Sequence, residues 1–407
     1  MKKFRFGAGL LFLGFFAFFA KASDAEQGGI QWSGFVKTDV IYDTRQTEAL
    51  REGHFLLYPL NESKDAEGKD IHAGANLNIL AIQTRLTGTL SGPDAFGAKT
   101  SGLIEGSFFG HSNGDINGFR LMHAFLSLKW LQSNMLIGQF WHPMFVTDVF
   151  PGTISFNTGA PFQPFSRNPQ VRYVRSAGRL NLIAAAISQR DFTSNGPAGS
   201  SSSYLRNAAV PNLHLQLQLK TARTVLGFGG DWKRLKPRLV TEKSYRTDET
   251  VSGLSFLAYA KFIAGKWTWK MEGISGQNMT DHLMLGGYAV QSLDDSTGRE
   301  AYLPTGVGSF WTDLSVAGKV SAGCFLGYTV NRGAEGEIRG KIYGRGDNIK
   351  SIMRIAPRLV IQSGKNQWAA ELEYTVAAYG TADQKGQVQN TKNIANVRLL
   401  LAAYFYF

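Results

Sequence analysis

From Pro211 to Lys220 the chain alternates strictly. Leu213, Leu215, Leu217 and Leu219 point one way, and Asn212, His214, Gln216, Gln218 and Lys220 point the other. A strand sends successive side chains to opposite faces, so this pattern predicts a strand with one oily and one wet side. The same period of two runs through Lys266 to Gly273, Lys350 to Gln362, Gln367 to Val376 and Asn396 to Phe407. Further strands are expected to begin near Ile30, Leu80, Ala98, Arg120, Met135, Val171, Leu180, Thr224, Ser252, Leu285, Phe310 and Gly323. Those near Met135, Leu180 and Leu285 are apolar on both faces.

Short turns such as Ser91-Gly92-Pro93-Asp94 and Ala264-Gly265 separate some strands. Long polar loops separate others: Glu48 to Asp70, Ser194 to Asn207, Lys236 to Glu249, Gln291 to Thr305, Gly333 to Asn348 and Thr381 to Lys392. Tight turns at one end and long loops at the other are the wiring of a membrane barrel. A soluble sandwich also alternates, but its strands average about five or six residues, whereas those here run about ten to thirteen, the length of a tilted crossing. Trp32, Tyr42, Trp130, Trp232 and Trp368 fall near strand ends, as interfacial girdle residues do. The fold class predicted is all-β: a transmembrane antiparallel barrel of about sixteen strands, with eighteen as the alternative.

Residues 1–22 read as a signal peptide: Lys2, Lys3 and Arg5, then the apolar run Gly7 to Ala20, then Ala20-Lys21-Ala22 as the cleavage site. The barrel would occupy 23–407. Losing four cations with the leader lowers the formal net charge from +12 to about +8. An exported chain of this kind is not expected to bind nucleic acid. No later stretch holds 18 consecutive apolar residues, which excludes a spanning helix. The single cysteine, Cys324, excludes disulfides and a multi-cysteine metal site. No cofactor is implied.

The longest mid-chain break in the strand pattern is 141–168, with Pro143, Pro151, Pro161 and Pro164 among many aromatics. An outward loop should be more polar, so this one is expected to fold into the lumen as a constriction; an outer loop packed at a subunit interface is the alternative. Parity places Lys37, Arg85, Lys129, Arg172, Arg223, Arg354, Arg358 and Arg398 on lumen faces. Such a set favours anions. Each could instead pair with a carboxylate such as Asp39, Glu105, Asp231, Glu371 or Glu373.

The aromatic C-terminal strand ending in Phe407 resembles the signal that outer-membrane assembly machinery reads. Several segments, in order, resemble the DcaP-like porins: Gly34 to Asp43 (GFVKTDVIYD), Gln83 to Gly88 (QTRLTG), Ile104 to Gly110 (IEGSFFG), Phe119 to Trp130 (FRLMHAFLSLKW), Ile137 to Phe145 (IGQFWHPMF) and Ser166 to Val174 (SRNPQVRYV). The resemblance covers the N-terminal 175 residues or so. It implies a sixteen-stranded, trimeric outer-membrane channel of a Gram-negative bacterium with an anion-selective eyelet and dicarboxylate-like solutes. It places Arg85, Arg167 and Arg172 among the basic pore groups.

The function expected is therefore passive diffusion of small, anionic solutes through an outer-membrane porin, without catalysis. Two other classes compete. A barrel hydrolase would need a nucleophile and base, for which His123 near Ser127 is the candidate, although no G-x-S-x-G or H-E-x-x-H motif is present. An adhesive or structural barrel would use outer loops such as the one containing Ser200 to Ser203.

Overall fold

Along Asn212 to Lys220 the leucines lie outside and the polar groups inside. Leu213 and Leu215 are 46% and 56% exposed, whereas His214 and Gln216 are 4% and 3% exposed. This reverses a soluble strand and is what a wall between lipid and an enclosed interior requires. The computed structural model describes residues 28–407; the expected signal peptide lies outside them. No helix among the described residues is long and apolar enough to cross a membrane.

Sixteen antiparallel strands form the wall: β1 Gly29–Asp43, β2 (Asn76–Leu80 continued by Arg85–Ser91), β3 Lys99–Ser107, β4 Arg120–Lys129, β5 Ser133–Trp141, β6 Arg167–Ala177, β7 Leu180–Ile187 and β8 Asn212–Lys220. They continue as β9 Thr224–Leu235, β10 Val251–Ala264, β11 Trp267–Gln277, β12 Glu300–Val316, β13 Val320–Ala334, β14 Ile349–Ser363, β15 Asn366–Ala382 and β16 Val388–Tyr406. Each pairs with its neighbour in sequence, and β16 pairs with β1 from Phe35↔Tyr406 to Asp43↔Arg398. The ring is therefore closed and leaves no wall edge unpaired.

One end carries tight turns, where Gly265 and Gly364 supply the positive φ (58° and 56°) that two-residue hairpins demand. The other end carries long loops. The strand expected near Leu285 is real, but it is not part of the wall. Gly286–Leu293 pairs with the outer extension of β12 and with Ile342–Arg345, making a flap beyond the barrel rim. Its two apolar faces come from that packing, since Leu285 and Tyr288 are fully buried.

The interior departs from the wet lumen that alternation alone suggests. Loop residues Phe55, Leu57, Phe109, Met144, Phe156, Phe162, Phe165 and Leu283 pack inside the ring against inward-facing Val225, Leu257, Ile274, Trp311, Phe325 and Ile352. Burying each large side chain contributes about 1.5–3 kcal/mol. The loops thus build an apolar core within the barrel, and the interior is not polar throughout.

Candidate functional site

The loop 142–166 joins β5 to β6 and crosses the barrel to the far wall. Its proline and aromatic content explains why it stays inside. Met144, Phe145, Val149, Phe162 and Phe165 are all buried, and Trp141 stacks on Phe145 with ring centroids 3.7 Å apart. Backbone groups stranded inside need partners, and the far wall supplies them. Glu371 accepts the Ile154 and Ser155 N–H groups at 2.8 and 2.9 Å. Lys37 Nζ donates to the Ile154 carbonyl at 3.1 Å, Arg354 to the Ala160 carbonyl at 2.9 Å, and Ser309 Oγ to the Phe162 carbonyl at 2.8 Å. Asn157 donates to Glu373 at 3.0 Å.

These contacts decide what the sequence-derived basic residues do. Lys37, Arg354 and Arg398 are 0–1% exposed, so no lumen water reaches them here. Arg354 also donates to the Leu56 carbonyl of the first loop. Arg398 forks onto Asp43 at 2.9 and 2.6 Å and donates to the Gly53 carbonyl at 2.7 Å. All three fasten loops to the wall. Arg358 makes a bidentate pair with Asp313 at 2.7 and 2.9 Å. It lies over Gly323 and against Gly152 of the transverse loop, where a Cβ would come within 2.6 and 2.7 Å of the guanidinium. Arg167 lies flat on Trp141, 3.8 Å from the ring centroid, and pairs with Asp191 at 3.2 Å.

Arg85 and Arg172 remain half-exposed in the interior. Arg85 lies 3.6 Å from Glu105 and above the Phe35 ring, while Arg172 donates to Gln170 and the Trp141 carbonyl and stands over Phe140. Lys129 is exposed at the turn end of β4, and Arg223 is in the β8–β9 turn, not on a lumen face.

A basic row that the sequence analysis did not select runs along the opposite inner wall. The register connects Lys220 to Val225, Val225 to Lys261, Lys261 to Lys270 and Lys270 to Asp313, so these side chains share one face and one band. This band faces the transverse loop at 148–153: Lys220 pairs with Asp148 at 2.7 Å, and Lys270 Nζ donates to the Phe150 carbonyl at 3.0 Å. Lys261 and Lys270 are half-buried and have no carboxylate within ion-pair distance among the described residues. Both Lys220 and Lys270 stand on polar faces of cleanly alternating strands, so the signal was present.

Two other chemistries can be weighed. His142, His214 and Asp231 come together, with Asp231 Oδ2 3.4 and 3.2 Å from the two rings, and could hold a metal ion. However, His142 Nδ1 accepts the Met144 N–H at 3.3 Å, which leaves the proton on Nε2, facing Asp231. His214 Nε2 meets Gln216 Oε1 at 3.0 Å. His142 Nε2, 3.4 Å from Asp231 Oδ2, has no hydrogen-bond partner among the described residues. The candidate hydrolase pair is not assembled: Ser127 Oγ donates to Asn134 at 2.8 Å, and the His123 ring meets Glu105 at 3.0 Å.

No sequence-family model matches the chain, and no curated protein matches it in sequence. Among solved structures it is similar to the outer membrane channel DcaP of Acinetobacter baumannii, with a TM-score of 0.70 at 16% identity over 93% of this chain and 97% of that one. It is also similar to the trimer form of OmpT, an outer membrane protein of Vibrio cholerae (TM-score 0.57, 12% identity, 94% and 100% covered), and to an anion-selective porin from Comamonas acidovorans (0.55, 11%, 94% and 100%). At such identities the likeness is one of fold. The chain has the fold of outer-membrane porins, and its resemblance to the DcaP-like group holds at that level.

Proposed function

We propose that this chain is a passive diffusion channel of a Gram-negative outer membrane, with a preference for small anionic solutes. The observation that carries the reading is the band of Lys220, Lys261 and Lys270 opposite the 148–153 segment of the transverse loop. A loop fixed across the lumen narrows the path, and Lys261 and Lys270, neither with a carboxylate within ion-pair distance among the described residues, set a positive field on the facing wall where it narrows. Arg85 and Arg172, both half-exposed inside the barrel, extend that field. Two lysines side by side suit a solute carrying two carboxylates, which supports a dicarboxylate-like preference. The anion-selective Comamonas acidovorans porin, of like fold, is in keeping with this reading. No cofactor, energy source or catalytic step enters it.

The working unit in this reading is a homotrimer. The lipid-side surface of β14, β15, β16 and β1 has an apolar hollow lined by Thr38, Leu359, Ala370, Leu401 and Ala403, shallow enough for a second barrel to lie against. Assembly would be directed through Phe407, which pairs with Gly34 by two backbone hydrogen bonds at the seam.

Planar-bilayer recordings in a salt gradient test the function. The expected result is steady conductance with a reversal potential on the anion side. A cation-selective or non-conducting protein would overturn the proposal.

A further inference from the structure

Arg332 is out of place for a barrel wall. It stands in β13 where the register slips, Gly306 pairing with Gly333 but Val307 with Asn331, so that Arg332 is the extra residue of a bulge. Its side chain turns to the outer face. The guanidinium crosses β12 at Gly308 and donates to Ser275 Oγ on β11 at 2.8 Å. Gly308 makes that crossing feasible, because a Cβ there would stand 2.8 Å from the guanidinium carbon. Ser275 is paired with Phe256 on one side and Gly308 on the other, which fixes the face: Phe256 is 54% exposed among the outward apolar residues. No carboxylate lies within ion-pair distance of Arg332 among the described residues.

A cation on the lipid side is costly in hydrocarbon and tolerable only near the polar boundary. Arg332 is at the long-loop end of the barrel, beside Lys385 of the β15–β16 loop. Together they border a hollow of about 500 Å³ on the outer surface. Leu254 and Phe256 supply its apolar lining, and Gln277 and Gln387 add amides. Glu335 is the one acidic group on its rim. Cationic, apolar and amide groups around one lipid-side hollow make an amphiphile's seat.

We infer that this hollow holds the phosphorylated sugar headgroup of an acylated glycolipid of the outer leaflet, lipopolysaccharide in a Gram-negative membrane. Arg332 and Lys385 take the phosphate, the glutamine amides take sugar hydroxyls, and an acyl chain lies over Leu254 and Phe256. The inference rests on the barrel's placement in the outer membrane, but not on what passes through its lumen.

Native mass spectrometry of the detergent-purified protein tests it, with bisphosphorylated lipid A, its dephosphorylated form, phosphatidylglycerol and inorganic phosphate as probes. Bisphosphorylated lipid A is expected to bind roughly ten-fold better than the dephosphorylated form, as a charge-assisted contact requires. Arg332→Gln should remove that preference. Gly308→Ala, which keeps the charge but crowds its seat, should do the same. Arg339→Gln, in another loop and paired with Glu337, should leave it intact. Single-channel conductance should stay unchanged in all three, so failure here is distinguishable from failure of the channel reading. Equal binding of the dephosphorylated lipid, of phosphatidylglycerol or of phosphate alone, or full affinity in both Arg332→Gln and Gly308→Ala, would overturn the assignment.

Discussion

The Glu371 carboxylate on the barrel wall accepts the Ile154 backbone N–H of the transverse loop at 2.8 Å. It accepts Ser155 N–H as well, so one wall residue fixes the turn of the transverse loop. Glu371→Ala strands two buried donors and removes the carboxylate facing Lys37. Each unmet donor costs about 1–3 kcal/mol. The loop should loosen, giving noisier and larger single-channel currents and a lower urea midpoint. Glu371→Gln, which keeps one acceptor, should fall between.

Lys261 and Lys270 should set ion preference together. Reversing both to Glu should lower the anion-to-cation permeability ratio by at least about two-fold, with the effect shrinking at high salt as the field is screened. Zero-current potentials at low and high ionic strength check this. Arg354→Gln should disturb stability more than selectivity, because Arg354 is sealed beneath the loops.

The first loop carries an acid-sensitive clasp. Partial burial alone would raise the Asp70 carboxyl, but the Ser63 and His72 N–H groups and the Arg45 guanidinium outweigh it and hold it down to about 2. A carboxyl depressed in the folded state stabilises above its unfolded value of 3.8 and loses that contribution as pH falls through about 2. Hydrogen exchange over residues 61–72, corrected for intrinsic rate, should rise across that window. Asp70→Asn should show the raised exchange already at neutral pH.

Phe55 braces the interior. Its ring meets those of Phe156, Phe165 and Phe192 edge-on, with centroids 4.9, 5.0 and 5.6 Å away. Phe55→Ala should cost about 3–5 kcal/mol, read as a shift in the denaturant midpoint. A smaller change would mean that the loops do not stabilise the barrel.

The wall was legible in the sequence because period two reports which face a side chain takes. Leu213 to Leu219 and Trp368 to Val376 needed nothing more. The transverse loop was legible through its prolines and aromatics, which water would not favour. What period two does not report is what lies over an inward face. Lys37, Arg354 and Arg398 have the parity of lumen residues, yet loops approach from elsewhere in the chain and cover them. Trp311 and Phe325 point inward against the oily-outside expectation for the same reason, since Phe162 of the loop packs on Phe325. The lysine band was missed because its members are brought side by side by register, and Lys261 stands in a largely apolar stretch.

Every wall pairing but one joins strands adjacent in sequence. The exception is the seam, where Asp43 faces Arg398 and Gly34 faces Phe407. Neither flank of that seam can be capped until the last residues have been made. A nascent or truncated chain would therefore carry two raw strand borders and a half-built oily interior. The wall closes only when Val388–Tyr406 docks along Gly29–Asp43.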